Sequence, residues 1–382
     1  MPGPLDGVRV VELAAIGPAP FAGMLLADLG AEVINVARLG DAGGMPGAAA
    51  AHQVLLRGRR FVHVDLKHPA GADVVRDLAA GADVFLEGFR PGVAERLGVG
   101  PDDLLAANPR LVYGRMTGWG QDGPRADEAG HDLGYLALSG ALAPCVGGDG
   151  RPTPPLNMLG DFGGGGMLLA VGVLGALYSV QQTGEGQVVD AAIVDGAALL
   201  TAMHQGMLAG GLCDSPPGGN LFDGGAPFYR VYRTADDKWL SVSAVEPKFY
   251  AALLDGLGLP IDPAAQHDRS RWAAWRETFA ARIATRTREE WVDHFAGTDA
   301  CVVPVLGPDE AAVDPHLSER GVYVDAGGIR HPAPAPRFSE TPTQLPEESP
   351  VDETATVLGE FGYTASDIRR LSDAGVIAPS PD

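Results

Sequence analysis

Asp161 has the neighbours that proton chemistry next to a carbonyl would use. It lies in Pro154-Pro-Leu-Asn-Met-Leu-Gly-Asp-Phe-Gly-Gly-Gly-Gly-Met167, just ahead of four glycines and an apolar run to Val180. A glycine run opening onto a helix lets backbone N–H groups approach a ligand, and the helix dipole adds positive potential there. The expectation is an ionised acid beside an oxyanion site, with the N–H groups of Asp161 and Gly163 as donors. Thirty residues upstream, Gly130-His131-Asp132 offers a second proton-transfer group.

Each feature has a plainer explanation. An aspartate before a helix is often only an N-cap. A cap does not need four glycines, however, and each costs helix stability, roughly 1 kcal/mol relative to Ala. The dinucleotide spacing G-x-G-x-x-G is not met from Gly163 onward, nor in the first turn after Leu13, so Rossmann-type cofactor binding is weakly supported. His131 is one of nine histidines. Tyr135 follows it by one helical turn, which suits a helix N-terminus where Asp132 would favour the dipole.

Arg57, Arg59, Arg60 and Lys67, set against Asp65, make residues 57–67 net +3 in a chain of net charge −21. Arg90 and Arg96 follow. A solvated rim paired with Asp65, Glu87 and Glu95 would explain any one of them. Several near strand ends of a parallel sheet fit a phosphate-binding rim better. Met158, Met167, Met203 and Met207 fill a core by default, and Met158, Met203 and Met207 are the candidates for an adaptable acyl surface.

At 382 residues the prior is two domains, with enough apolar sequence for a large core. The acidic balance argues against a general nucleic-acid or anionic-membrane surface, but not against one anionic small molecule. Cys145, Cys213 and Cys301 support neither a disulfide framework nor a zinc pattern, so no metal is expected. The N-terminus lacks a signal-peptide pattern, the C-terminus is no peroxisomal address, and the apolar run 167–180 is too short to span a bilayer. The expectation is a cytoplasmic protein.

Strands at 8–13, 32–36, 61–65, 83–86 and 111–115 alternate with helical stretches at 21–29 and 70–79, implying an α/β fold with a mostly parallel sheet. A helix at 167–182 and a strand at 188–192 complete a large domain over 1–200. Residues 201–224 read as a linker, 225–325 as a smaller α+β domain, and 326–382 as a Pro-rich linker followed by helices that return to the body.

Together these segments resemble the α-methylacyl-CoA racemases within the family III CoA-transferase superfamily. The likeness runs through Leu5-Asp-Gly-Val-Arg-Val-Val-Glu-Leu13, Asp65-Leu-Lys-His-Pro69, Glu87-Gly-Phe-Arg-Pro-Gly-Val-Ala-Glu-Arg-Leu97 and Thr117-Gly-Trp-Gly-Gln-Asp-Gly-Pro124. It continues through Gly130-His-Asp132, Leu156-Asn-Met-Leu-Gly-Asp-Phe-Gly-Gly164, Gly184-Glu-Gly-Gln-Val-Val-Asp-Ala191 and Gly224-Gly-Ala-Pro-Phe-Tyr229. The resemblance implies His131 and Asp161 as the two α-carbon acid/bases and Glu246 as the residue that orients His131. Asn157, Tyr135 and Asp132 would support them. Arg38, Arg59, Lys67, Arg90 and Arg96 would bind the CoA part of an acyl-CoA substrate. It further implies a Rossmann-like large domain and an interlocked homodimer with shared active sites and no cofactor. A transferase using Asp161 as nucleophile and a non-catalytic acyl-CoA-binding protein remain the alternatives. Where the family often has an acidic residue and then Arg-Pro, this chain has Ala37-Arg38-Leu39, followed by an Ala/Gly-rich loop over Gly40–Ala51.

Overall fold

The computed structural model describes residues 3–40, 54–147, 150–213, 216–345 and 352–378. The loop beyond Gly40 therefore lies mostly outside the described residues. Two compact units emerge. One comprises residues 1–139, 155–200 and 320–382, and the other 140–154 and 201–319.

In the larger unit, β-branched runs form the strands and apolar-periodic segments form the covering helices. The order is β1 (Arg9–Leu13), α1 (Pro18–Asp28), β2 (Glu32–Ala37), β3 (Arg59–His63), α2 (Pro69–Ala80), β4 (Val84–Glu87), α3 (Val93–Arg96), α4 (Pro101–Ala107), β5 (Val112–Thr117) and α5 (Asp132–Ser139). A π-helix, Met158–Gly166, then runs into α6 (Met167–Thr183), followed by β6 (Gln187–Ala192) and α7 (Ile193–Leu200). The six strands pair in parallel in the order β3-β2-β1-β4-β5-β6. Strand order reverses at β1 and β4, and ligands of such sheets bind beyond the carboxyl ends of the strands at that point.

Alternate residues of each strand face opposite layers, and both faces of β1, β2, β4 and β5 are buried, whereas the first residues of edge strand β6 are exposed. Val11, Leu13, Ile34, Phe85 and Tyr113 pack with α2 and the C-terminal helices. Val10, Val33, Leu86, Val112 and Met116 pack with α1 and α6.

The smaller unit contains α8 (Ala202–Ala209), an antiparallel sheet of β7 (Tyr229–Arg233), β8 (Trp239–Ser243) and β9 (Val302–Pro304), and α9 (Pro247–Leu257), α10 (Arg269–Ile283) and α11 (Arg288–Phe295). Phe228, Tyr250, Phe279 and Trp291 fill its core. Two short helices follow, α12 (Pro308–Ala312) and α13 (Pro315–Arg320). In the larger unit the chain continues through the hairpin β10 (Tyr323–Ala326) and β11 (Ile329–Pro332) to α14 (Thr354–Glu360) and α15 (Ala365–Asp373).

The structure revises several expectations. The stretch 201–224 is not a bare linker, because α8 lies in it. Residues 140–154 group with the smaller unit, where Val146 packs against Gly218. Residues 323–332 form a hairpin, so the extended Pro-rich stretch begins only after it. The helical run at 167–180 is also longer than its apolar core suggested. With the π-helix it spans 26 residues, Met158–Thr183, enough by length and composition to cross a membrane. Leu169, Val173 and Ala176 are nevertheless buried against the sheet, as in the core helix of a globular unit.

Candidate active site

The glycine run is not a helix entrance. It lies inside the π-helix, and its glycines are there because protein backbone passes close on both sides. A Cβ on Gly164 would sit 2.7 Å from Ala197 N, and one on Gly166 would sit 2.6 Å from the Pro18 carbonyl oxygen. Gly165 similarly faces Pro18 Cβ at 2.9 Å. The close approach inferred from sequence is real, but its partners are α1 and α7 rather than a ligand. Gly163 lies within the wide ladder, where N–H groups point to carbonyls five residues back. That removes it as a free oxyanion donor.

The same packing delivers Asp161 to the carboxyl edge of the sheet. Gly17, which ends the β1–α1 turn with φ 84°, lies against the carboxylate, its Cβ position 3.5 Å from Asp161 Oδ2. Phe162 packs at a tilt against Phe21 of α1, with ring centroids 4.8 Å apart. Asn157, the residue before the π-helix, donates from Nδ2 to Asp161 Oδ2 at 3.3 Å. Leu156 before it has φ 57°, a left-handed conformation unusual for a branched side chain.

Asp132 opens α5, and its Oδ1 accepts the Asp161 N–H at 2.7 Å. The supporting role expected of Asp132 therefore takes a definite form, at the cost of the expected free N–H on Asp161. Within the π-ladder the first bond runs from Phe162 N–H to the Asn157 carbonyl, so earlier amides have no partner in it.

Burial pushes the Asp161 carboxyl above its ordinary range; the Asn157 hydrogen bond opposes this, the Asp132 charge adds to it, and His131 opposes it. A carboxyl raised in this way is a better proton acceptor than an ordinary aspartate, which is the direction a proton-shuttling group requires. His131 is exposed immediately before α5, and its carbonyl accepts the Gly134 N–H at 2.8 Å. Tyr135 is buried against Gly118 and Gly130, edge-on to Trp119 at 4.6 Å. Burial raises its hydroxyl pKa, Asp161 adds to the rise and Arg90 opposes it, which places all three in one electrostatic neighbourhood.

These causes give a signed test. Asp132→Asn keeps an oxygen for the Asp161 N–H but removes a like charge, so the acid limb of the rate profile should move to lower pH. Asn157→Ala removes a stabilising donor and should move it to higher pH. Profiles that move together would show that the limb belongs to another group.

The basic residues divide. Arg38, just past β2, and Lys67, Arg90 and Arg96 are exposed and make no side-chain ion pair among the described residues. Arg59 is corrected: its side chain is fully buried against Glu12 at 3.1 Å and cannot reach a ligand at the rim. Arg57 is buried on Asp28, and Arg60 joins Glu32, Glu353 and Glu360. A strand alternates its faces, so neighbouring arginines in sequence do not share a surface.

Met158 is exposed on the π-helix beside Asp161, whereas Met203 and Met207 belong to the smaller unit. Glu246, also in that unit, is exposed at the N-cap of α9 without capping it. The Gln266 amide holds its approach by donating to the Ala244 and Val245 carbonyls at 3.2 and 2.8 Å. Sequence reasoning missed Gly17 as the carboxylate's neighbour and Glu12 as the partner of Arg59. A charged residue inside Val-Val-Glu-Leu was the available signal for Glu12, since a buried acid needs a cation.

Comparison with known proteins gives matches over nearly the whole chain. The family model described as CoA-transferase family III matches residues 5–354. The α-methylacyl-CoA racemase of Mus musculus is 43% identical over 378 residues, covering 98% of this chain and 97% of that one. That of Homo sapiens is 42% identical over 379 residues, with 98% and 97% covered. A crystal structure of a CAIB/BAIF family protein from Brucella suis superposes with a TM-score of 0.80 at 26% identity, covering 94% of this chain and all of that one. A match that begins ahead of β1, passes through both units and ends in α14 leaves one assignment: the chain belongs to CoA-transferase family III.

Proposed function

We propose that the protein is an α-methylacyl-CoA racemase, interconverting the two epimers of 2-methyl-branched acyl-CoA thioesters. The observation that carries this reading is Asp161: a carboxylate seated beside Gly17 at the carboxyl edge of the sheet and held by Asn157 and by the Asp132 bond to its N–H, with His131 immediately before Asp132. The full-length likeness to racemases of two mammals supports it.

The thioester acidifies the α-hydrogen. One of Asp161 and His131 removes it from one face, and the conjugate acid of the other returns a proton to the opposite face. The roles reverse with the handedness of the substrate. Negative charge develops on the thioester oxygen and calls for donors at the start of the π-helix. An oxygen placed at the Asp161 N–H must share or displace the Asp132 carboxylate. Arg38, Lys67, Arg90 and Arg96 are the cations for the CoA phosphates, and Met158 is an apolar contact for the acyl chain. Proton transfer of this kind needs neither metal nor redox cofactor.

Glu246 is assigned to orient His131 across a homodimer interface, as the family resemblance implies. The larger unit offers exposed apolar side chains to such an interface, among them Leu133, Met158, Met167, Val171, Tyr178 and Leu199.

The test uses one epimer of a 2-methylacyl-CoA in D₂O with no acceptor acid. Epimerisation with uptake of α-deuterium is expected. Stereochemical silence, together with CoA transfer when a free carboxylic acid is added, would replace the racemase by a transferase with Asp161 as nucleophile.

A further inference from the structure

We propose that the buried Glu12–Arg59 ion pair is a positioning device for Asp161, acting through the first turn of α1. The inference rests on the racemase reading. Both side chains are fully buried, on a face of the sheet that α1 covers. The Arg59 guanidinium joins three segments. Nε donates to Glu12 Oε2 at 3.1 Å, Nη2 to the Pro20 carbonyl at 2.6 Å, and Nη1 to the Arg57 carbonyl at 3.0 Å.

The first turn of α1 has no side-chain tether of its own. Its N-cap is Gly17, which has no capping side chain, and Pro18 and Pro20 have no N–H. That same turn holds the π-helix. Pro18 fills the spaces beside Gly165 and Gly166, Phe21 packs on Phe162, and Gly17 leaves the space beside the Asp161 carboxylate open. A guanidinium fixed on Pro20 therefore sets the wall against which the reactive carboxylate is seated. Gly23 of α1 completes the arrangement: a Cβ there would lie 2.5 Å from Arg59 Nη2 and 2.9 Å from Glu12 Oε2.

Stability alone gives little reason to retain this pair. Desolvating two charges offsets much of their attraction, and well-packed apolar replacements are often as stable. A guanidinium that fixes three segments at once does something an apolar pair cannot, because its planar fork sets directions as well as distances.

The test uses the full-length enzyme with Glu12→Gln, given each epimer of a 2-methylacyl-CoA separately in D₂O. A displaced carboxylate should lower kcat on the order of tenfold or more, since small misplacements cost large rate factors. KM should change by no more than about twofold, because uniform binding is untouched. The distinguishing readout is deuterium partition. From the epimer deprotonated by His131, recovered substrate should gain deuterium relative to inverted product, because return through His131 outruns delivery from Asp161. The other epimer should simply react more slowly.

A purely structural role would lower thermal stability but leave that partition as in the wild type, and this result in a folded variant overturns the proposal. If Glu12→Gln fails to fold, Arg59→Lys carries the same test, keeping the charge while losing the fork. Wild-type enzyme that epimerises neither substrate overturns the racemase reading itself. Success of the wild type with unchanged partition in the folded variant overturns only the positioning role.

Discussion

Asp161→Asn should reduce epimerisation at least about a thousandfold, within the range that positioned proton transfer contributes, while leaving the fold intact. His131→Ala should do the same. The two losses should differ in their isotopic signatures. Without Asp161, the epimer whose α-hydrogen faces His131 should still exchange slowly with D₂O with retention; without His131, the opposite epimer should.

The fold should tolerate the aspartate change for a reason written in the site. Burial raises the Asp161 pKa in the folded state. A raised folded value means that the protonated form is favoured by folding. That contribution is complete below the unfolded pKa and is lost as pH rises through the folded one. At neutral pH the ionised side chain therefore opposes folding, and a neutral isostere should unfold at the same or a higher temperature. Thermal unfolding scans beside deuterium-exchange assays check both halves. Near-wild-type epimerisation by either variant would remove the two-base assignment.

Gly196→Ala should destabilise the larger unit by about 3 kcal/mol, at the upper end of ordinary overpacking. The added Cβ would lie 1.8 Å from Gly164 O and 2.5 Å from Gly164 C. Both are backbone atoms of the π-helix, so no rotamer change relieves the contact; α7 and the π-helix must separate. In an unobstructed helix the same substitution gains roughly 1 kcal/mol. Gly359→Ala, in α14 with nothing within 4 Å of its Cβ position, is the matched control and should be stabilising. Denaturant unfolding of the two variants measures the difference. A Gly196→Ala protein as stable as wild type would show that the α7 contact is not needed to seat the helix carrying Asp161.

The two glycine cases mark where sequence reading stops. Four glycines in a row announced close backbone approach, but glycine says only that space is short, not what fills it. Chain 33 residues downstream of Gly164, at Ala197 of α7, and 148 residues upstream of Gly166, at Pro18, does so here. The alternation of strands and helices was legible because side-chain periodicity is local: β1, β2, β4 and α2 lie within a few residues of their expected positions. The chemical types of Asp161 and His131, and the start of α5 just after His131, were legible for the same reason.

What needed the tertiary structure was each residue's counterpart. Arg59 stands two residues from Arg57 and one from Arg60, and composition grouped them as one rim. Strand pleating and the path of α1 instead buried Arg59 on Glu12, 47 positions away. Asp132 and the Asp161 N–H are 29 positions apart, and their bond converts an expected oxyanion donor into a held one. Local spacing fixes which groups a segment carries and which way they alternate. Whether a charge meets water, a ligand or an opposite charge is decided by non-local packing, and desolvation makes those outcomes differ by several kcal/mol.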